Sequence, residues 1–346
     1  MGVRRVRKPS RKAEPGMNTR IWVAITAHNP MSRINSLFNV LNEYMKYPYD
    51  LNVRIYIDYD SQNDIELLGT TLEPYKKLNI DIIVAAPEYE NWYLTWAHKN
   101  DLALAILNKK ADFYIYQEND TLISIENFQY WRVWRPRLAF HGLEPGFMRY
   151  EVYKDQKVPF DNHHIFSLTR ETPDIWSDQG FTVPKILVID REIDFFVQVA
   201  SPYYGGMILN QEDGENYIRS MSFDRENSYA RLGSRLVTVP LTDELVEKTT
   251  DKAIKEHLIG LRDKGSKFVS YPLRNWPVAD RSSMGVAFEN IPAGFEHRRC
   301  IPLVKEGDNY VPHMCGLVRH DDNKYAPALL EREGIVLDCK KMFTLH

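Results

Sequence analysis

The chain has 346 residues, 44% hydrophobic and 26% charged, with a net charge of −3 and a pI near 6.4. These values describe a water-soluble globular protein long enough for one large or two small domains, and the near-neutral balance gives nucleic acid no footing. No apolar run approaches the roughly 20 residues of a membrane span, and the N-terminus has no hydrophobic signal core. The three cysteines, Cys300, Cys315 and Cys339, form no Cys-x-x-Cys pair and no disulfide framework, so a reducing, cytoplasmic setting is expected. Aromatic residues reach 12%, compatible with carbohydrate stacking and equally with ordinary core.

Within residues 1–18, the first twelve carry six basic residues and no acid. They read as a disordered tail, with weak attraction to an anionic membrane surface as the alternative. Gly2 is present, but Val6 breaks the myristoylation pattern. Folding is expected to start near Thr19. Ile21–Ile25 is a continuous apolar run that leads into Thr26-Ala27-His28-Asn29-Pro30, and a helix follows from about Ser32 to Tyr44, with Ile34, Leu37, Phe38 and Leu41 at helical spacing. Val53–Ile57 is a second strand, ending in Asp58-Tyr59-Asp60. Asp81–Ala85 is a third, closed by Pro87, and a helix is expected from about Trp92 to Leu107.

Phe113–Tyr116 is a short β-favouring run that passes into Glu118-Asn119-Asp120 before apolar character resumes at Leu122. Such a pattern places carboxylates at the carboxyl edge of a sheet, where open α/β sheets bind ligands. Acids spaced i, i+2 are able to share one hard cation and leave positions for phosphate oxygens; a solvated turn is the plainer alternative. Strand–helix alternation with buried strands predicts a mostly parallel sheet with helices on both faces.

Beyond this, a helix is expected from about Ile125 to Trp134, aromatic on one side. Phe147–Tyr153 alternates as a strand that points Arg149 and Glu151 to one face, paired with each other or with one facing a ligand. Lys185–Ile189 and Phe195–Val199 are further strands. Tyr204-Gly205-Gly206 allows close backbone approach and leads to Gln211-Glu212-Asp213, where acids also suit the first turn of a helix. Asp224-Arg225-Glu226 is a second acidic set. Glu244–Leu261 reads as one amphipathic helix, and the remainder as an irregular C-terminal extension in which His313, Arg319 and His320 stand out.

Glu118-Asn119-Asp120 after an apolar strand resembles the Asp-x-Asp motif of GT-A-fold glycosyltransferases, with Glu and Asn as departures. The order of strand ends is similar to the nucleotide-binding half of that family over about Arg20 to Arg219. The resemblance implies a GT-A-like, Rossmann-like α/β fold in one catalytic domain over 19–346: a donor half (19–124), an acceptor half (125–240) and an extension closing the site (241–346). It implies transfer of a sugar from a nucleotide-diphosphate sugar to a hydroxyl acceptor such as a glycan, with Mn²⁺ or Mg²⁺. Asp120 and His313 are then the metal ligands, with His320 as the other late histidine. Thr26, Ala27, His28, Asp58, Asp60, Trp96, Lys99, Glu118, Asn119 and Arg319 contact the donor. Arg149, Tyr204, Gly205 and Gly206 lie toward the acceptor, and Asp213, Glu212 or Glu226 is the base of an inverting enzyme. The alternatives are a non-catalytic glycan- or nucleotide-sugar-binding protein and a sugar-nucleotide pyrophosphorylase. The latter needs a basic Gly-rich loop after the first strand, which Thr26–Pro30 is not.

Overall fold

A computed structural model describes residues 19–89, 91–139, 143–159, 186–189, 194–198, 205–219, 223, 236–248, 252–263, 265, 268–272, 298–306, 309–312, 316–321 and 327. In chain order the first elements are β1 (Arg20–Ala27), α1 (Ile34–Met45), β2 (Asp50–Ile57), α2 (Ile65–Thr71), β3 (Ile80–Val84), α3 (Lys99–Leu107) and β4 (Phe113–Glu118). They are followed by β5 (Thr121–Leu122), α4 (Ile125–Ala139), β6 (Leu143–Pro145), β7 (Met148–Tyr153), β8 (Gln156–Pro159), β9 (Ile186–Ile189), β10 (Asp194–Gln198), β11 (Gly206–Asn210) and α5 (Gln211–Arg219). The last are β12 (Leu236–Pro240), α6 (Asp243–Lys248), α7 (Lys252–Asp263), β13 (Phe268–Pro272), β14 (Arg298–Glu306), β15 (Asn309–Pro312) and β16 (Leu317–His320).

The central sheet has the order β11-β4-β1-β2-β3. Strands β4, β1, β2 and β3 run parallel, and β11 is antiparallel to β4. The expected α/β architecture is therefore present. Its cause is visible along β1, where side chains alternate between faces. Ile21, Val23, Ile25 and Ala27 join one apolar layer with α1 and the aromatic residues of α4, while Trp22 and Ala24 join the other with α3 and Tyr217 of α5. Both faces are covered, so the parallel strands read as unbroken apolar runs.

A second sheet, β5-β16-β7-β8, abuts the end of β4. Its β7–β8 hairpin turns on Lys154 and Asp155, both at positive φ (50° and 58°), which suits a two-residue turn matched to strand twist. The C-terminal part contains regular strands among its described residues. It supplies β14 and β15 to a sheet ordered β15-β14-β10-β9, pairs β12 with β13, and sends β16 back to β5 and β7. The single helix expected over Glu244–Leu261 is two, α6 and α7. Ahead of α3 the chain is a 3₁₀ segment, Asn91–Trp96, rather than the start of one long helix. The basic tail and Asp224-Arg225-Glu226 lie outside the described residues, as do Tyr204 and His313. No helix of the described residues is long and apolar enough to cross a membrane.

Candidate functional site

The chain leaves β1 on one side for β2 and β3, then returns to its other side for β4. The carboxyl ends of β1 and β4 therefore flank a topological switch point, the place where open α/β sheets leave a crevice for ligand. The register sets Thr26 beside Glu118, and the Asn119 amide donates to the Thr26 carbonyl at 3.1 Å. Buried Gln117 closes the following turn by donating from Nε2 to the Thr121 carbonyl at 2.8 Å. The polar run that ends β4 is thus held rigidly against the exit of β1.

Asp120 is the centre of this corner. It is buried, and its Oδ2 accepts from Arg33 Nη1 at 3.2 Å. His320 Nε2 lies 3.6 Å from the same oxygen, an ion-pair distance longer than a hydrogen bond. His320 is adjacent because β16 pairs with β5, setting His320 opposite Thr121, and the Asp321 amide donates to the Asp120 carbonyl at 2.8 Å. On the far side of the imidazole, Nδ1 lies 2.9 Å from Oε1 of the fully buried Glu151. Burial alone would push the Asp120 carboxyl up, but the pull of His320, Arg149 and Arg33 holds it below its ordinary value. Burial likewise opposes the His320 charge, yet Asp120 and Glu151 raise its pKa to about 9. The corner is a chain of alternating charge: Arg33, Asp120, His320, Glu151, with Arg149 close by.

Asp120 Oδ1 remains buried without a hydrogen-bond partner, as do Asn119 Nδ2 and Thr121 Oγ1. An unmatched buried polar atom costs about 1–3 kcal/mol, and three on successive residues make this corner the candidate place for a ligand. Among the described residues no group of three or more His, Cys, Asp or Glu side chains gathers at metal-binding spacing. A Mg²⁺ or Mn²⁺ that takes its remaining oxygens from phosphate and water needs only one or two carboxylates. The unpartnered Oδ1 of Asp120 is a carboxylate oxygen of the kind such an ion takes.

The other expected site residues divide sharply. Ala27 is wholly buried, and Thr26 Oγ1 shares a hydrogen bond with Tyr116 Oη at 3.1 Å. His28 is exposed at the edge, where its Nδ1 meets Asp58 Oδ2 at 3.0 Å. Asp58 Oδ2 also accepts from the Asn29 amide at 2.6 Å and Oδ1 from the Ser61 amide at 3.0 Å. Burial works against the Asp58 charge, but those bonds and His28 win, and its pKa is lowered. This carboxylate clamps the β1 and β2 exit loops; Asp60, two residues on, is exposed. Gly205, at φ +70°, abuts the same corner: its carbonyl accepts from the Glu118 amide at 2.8 Å. A Cβ on Gly205 would fall 2.5 Å from Thr121 Oγ1 and 3.5 Å from Glu118 Oε2. Gly206 pairs with Gln117 at the start of β11.

Three expectations are corrected. Because β11 runs antiparallel to β4, Asn210 pairs with Phe113 and α5 begins at the amino edge of the parallel strands. Glu212 and Asp213 therefore stand at the opposite end of β4 from Asp120; the five residue steps of β4 alone span about 16 Å at strand rise, so neither lies where a base for that corner would be needed. Asp213 is instead buried in a two-pronged pair with Arg135, whose Nε lies 2.9 Å from Oδ2 while Nη2 binds Oδ1. Trp96 and Lys99 are also buried: the Lys99 ammonium sits 3.9 Å over the Trp96 ring and donates to the Phe223 carbonyl at 3.2 Å. They form a cation–aromatic packing unit rather than a surface offered to a donor. Strand alternation sends Arg319 to the opposite face of β16 from His320, and its Nη2 binds Asp321 Oδ1 at 2.9 Å. The cations at Asp120 are Arg33 and His320, with Arg149 near. Arg33 carried no signal of its own, reading as one arginine in the first turn of the helix expected from about Ser32; the structure makes it the N-cap residue of α1.

No family model matches the chain, and no curated protein does. Among solved structures it is similar to 4-diphosphocytidyl-2C-methyl-D-erythritol synthase from Anaerococcus prevotii, at 13% identity and a TM-score of 0.30, over 62% of this chain and 82% of that one. It is also similar to S. aureus TarS, at 12% identity and 0.29, over 57% of this chain and 49% of that one. A third is the galactosyltransferase LgtC in complex with donor and acceptor sugar analogs, at 10% identity and 0.27, over 55% and 58%. Overlaps this loose show no more than a likeness of fold.

Proposed function

We propose that the protein is a divalent-metal-dependent glycosyltransferase that moves a sugar from a nucleotide-diphosphate sugar to a hydroxyl acceptor, with the donor's diphosphate at the Asp120 corner. The observation that carries this reading is a buried carboxylate with one unpartnered oxygen, ringed by Arg33, Arg149 and His320, at the carboxyl edge beside a switch point. Asp120 Oδ1 would hold the metal, with His313 a second ligand on the family resemblance. The metal would supply neutralisation of charge building on the departing diphosphate.

The chain's own residues do the remainder. Arg33 and Arg149 offer guanidinium forks to phosphate oxygens. His320, fixed by Glu151, keeps a positive charge on the inner side of Asp120. Glu118, whose Oε2 lies beside Gly205, would take an acceptor's proton if transfer inverts; a retaining transfer asks for no base there. The β1 exit, shaped by Asp58, borders the nucleoside.

A second reading, pyrophosphorolysis of a sugar nucleotide, gains from Arg33, a basic residue between β1 and α1 and hence in the stretch where that chemistry needs one. One experiment separates them. Purified protein is incubated with UDP-, GDP-, CDP- and ADP-sugars and Mn²⁺, with and without pyrophosphate. Release of nucleoside diphosphate that depends on Mn²⁺ alone is expected; nucleoside triphosphate formed only with pyrophosphate supports the second reading. Turnover of no sugar nucleotide under either condition refutes both.

A further inference from the structure

We infer that Arg33 is an exchangeable cation: it holds Asp120 in the free protein and passes to the donor's phosphate oxygens when a divalent ion takes Asp120. The inference rests on the proposed donor class for the identity of the phosphate ligand, while the ion pair itself is read directly from the structure.

The two partners are held very differently. The Asp120 side chain is 12% exposed and fixed by its turn, whereas the Arg33 side chain is 45% exposed on a long stem. The other cation on Asp120 does not share that latitude, because His320 is buried and held from behind by Glu151 at 2.9 Å. A divalent ion approaching Oδ1 meets the repulsion of both charges, and Arg33 is the one able to swing away.

Its destination is set by its place in the chain. Arg33 is the N-cap residue of the 12-residue α1, at φ −118° and ψ 27°, with no side-chain cap, and the first turn of α1 carries no acid. The first amides of a helix and the positive end of its dipole favour an anion. The unpartnered Oδ1 of Asp120 independently marks the same corner as a ligand site. A guanidinium has five donors in a rigid fork that matches a phosphate as well as a carboxylate. Releasing Asp120 therefore costs little once a phosphate is in reach.

The pair makes opposite demands on metal and phosphate, and that sign difference is the test. Calorimetry measures Mn²⁺ alone, and then UDP, GDP, CDP and ADP with saturating Mn²⁺, on wild type, Arg33→Ala and Arg33→Lys, each checked for an unchanged denaturation midpoint. Removing a partly screened positive charge beside a divalent ion should tighten Mn²⁺ alone by about three- to tenfold in Arg33→Ala. The same variant should bind its nucleoside diphosphate about tenfold more weakly. Arg33→Lys, which keeps charge and loses the fork, should stay near wild type for Mn²⁺ and fall between for the diphosphate. If both affinities fall together in Arg33→Ala, or if either is unchanged, Arg33 is a fixed brace and the inference is overturned. If wild type binds none of the four diphosphates, the donor reading fails first and the exchange fails with it. If wild type binds one and Arg33→Ala binds it equally, the exchange alone is lost.

Discussion

Asp213→Asn should unfold the protein more easily while leaving the chemistry of each folded molecule intact. Asp213 and Arg135 are both nearly inaccessible, and the guanidinium grips the carboxylate with two prongs between α4 and α5. Burial works against the Arg135 charge and the bonds to Asp213 more than offset it, so that its pKa is raised. Breaking a buried ion pair by removing one partner costs about 3–5 kcal/mol, because the other charge stays buried without compensation. Glu144 and Glu212 also act on Arg135, which places the expected loss near the lower end, about 3 kcal/mol. With an unfolding entropy of about 2.1 cal/mol/K per residue over 346 residues, each kcal/mol moves the melting temperature by about 1.4 °C, so it should drop by about 4 °C. Urea denaturation followed by tryptophan fluorescence measures the loss, and turnover per folded molecule measures the chemistry. The double variant Arg135→Met/Asp213→Leu removes both charges and should recover most of the stability. An Asp213→Asn protein as stable as wild type but unable to transfer sugar would refute the placement of this acid at the far edge of the sheet.

Asp120→Asn keeps the shape of the corner and removes its charge. Nucleoside diphosphate binding should lose its dependence on Mn²⁺, by calorimetry, and a metal-dependent affinity that survives intact would sink the metal assignment. Gly205→Ala should cost about 2–3 kcal/mol, since it combines a left-handed backbone with a Cβ 2.5 Å from Thr121 Oγ1. Gly265→Ala has the same backbone sign (φ +78°) but nothing within 4 Å, so it should cost only the conformational part; equal losses at the two sites would show that the contact does not matter. Asp58 has a depressed folded pKa, so its contribution is full above its unfolded value, near 3.9, and is lost as pH falls from there through the lower folded one. The stability gap between wild type and Asp58→Asn should be full at pH 7 and shrink below about pH 4; a gap independent of pH in urea titrations would remove the carboxylate's role as a clamp.

The central sheet was legible because buried parallel strands need apolar residues on both faces. Ile21–Ile25, Val53–Ile57 and Phe113–Tyr116 show that as unbroken runs, and the structure extends each by only a few residues. Asp120 was legible for a related reason: it is the polar break between β4 and β5, and chain order alone puts such breaks at the carboxyl edge. The direction of β11 was not. Gly206–Asn210 reads the same for a parallel or an antiparallel strand, yet that choice carries the acids of α5 from one edge of the sheet to the other. Lys99 failed as a sequence signal because the aromatic rings that bury its stem come from Tyr217 and Phe223, more than 100 residues away, as well as from Trp96. Arg319 failed because its face depends on β16 being a strand, which a four-residue segment beside His313-Met314-Cys315-Gly316 does not announce.

The Asp120 corner is also a statement about how the chain closes. The cation on its outer side comes from 87 residues earlier, at the entry to α1. The one on its inner side arrives with β16, and His320 is fixed there by a carboxylate 169 residues before it. Loop-closure entropy grows only with the logarithm of length, each doubling costing about 0.6 kcal/mol, so ligands drawn from distant segments are not much dearer than local ones. What distance adds is dependence: β16 must pair with both β5 and β7 before His320 can reach Asp120. Without that pairing, Asp120 would lose the imidazolium that helps to keep it ionised in a buried setting. The charge at the mouth of the switch point is therefore a property of the two sheets together, and a substitution that loosens β16 should reach the site by way of Asp120 even where it touches no residue of the crevice.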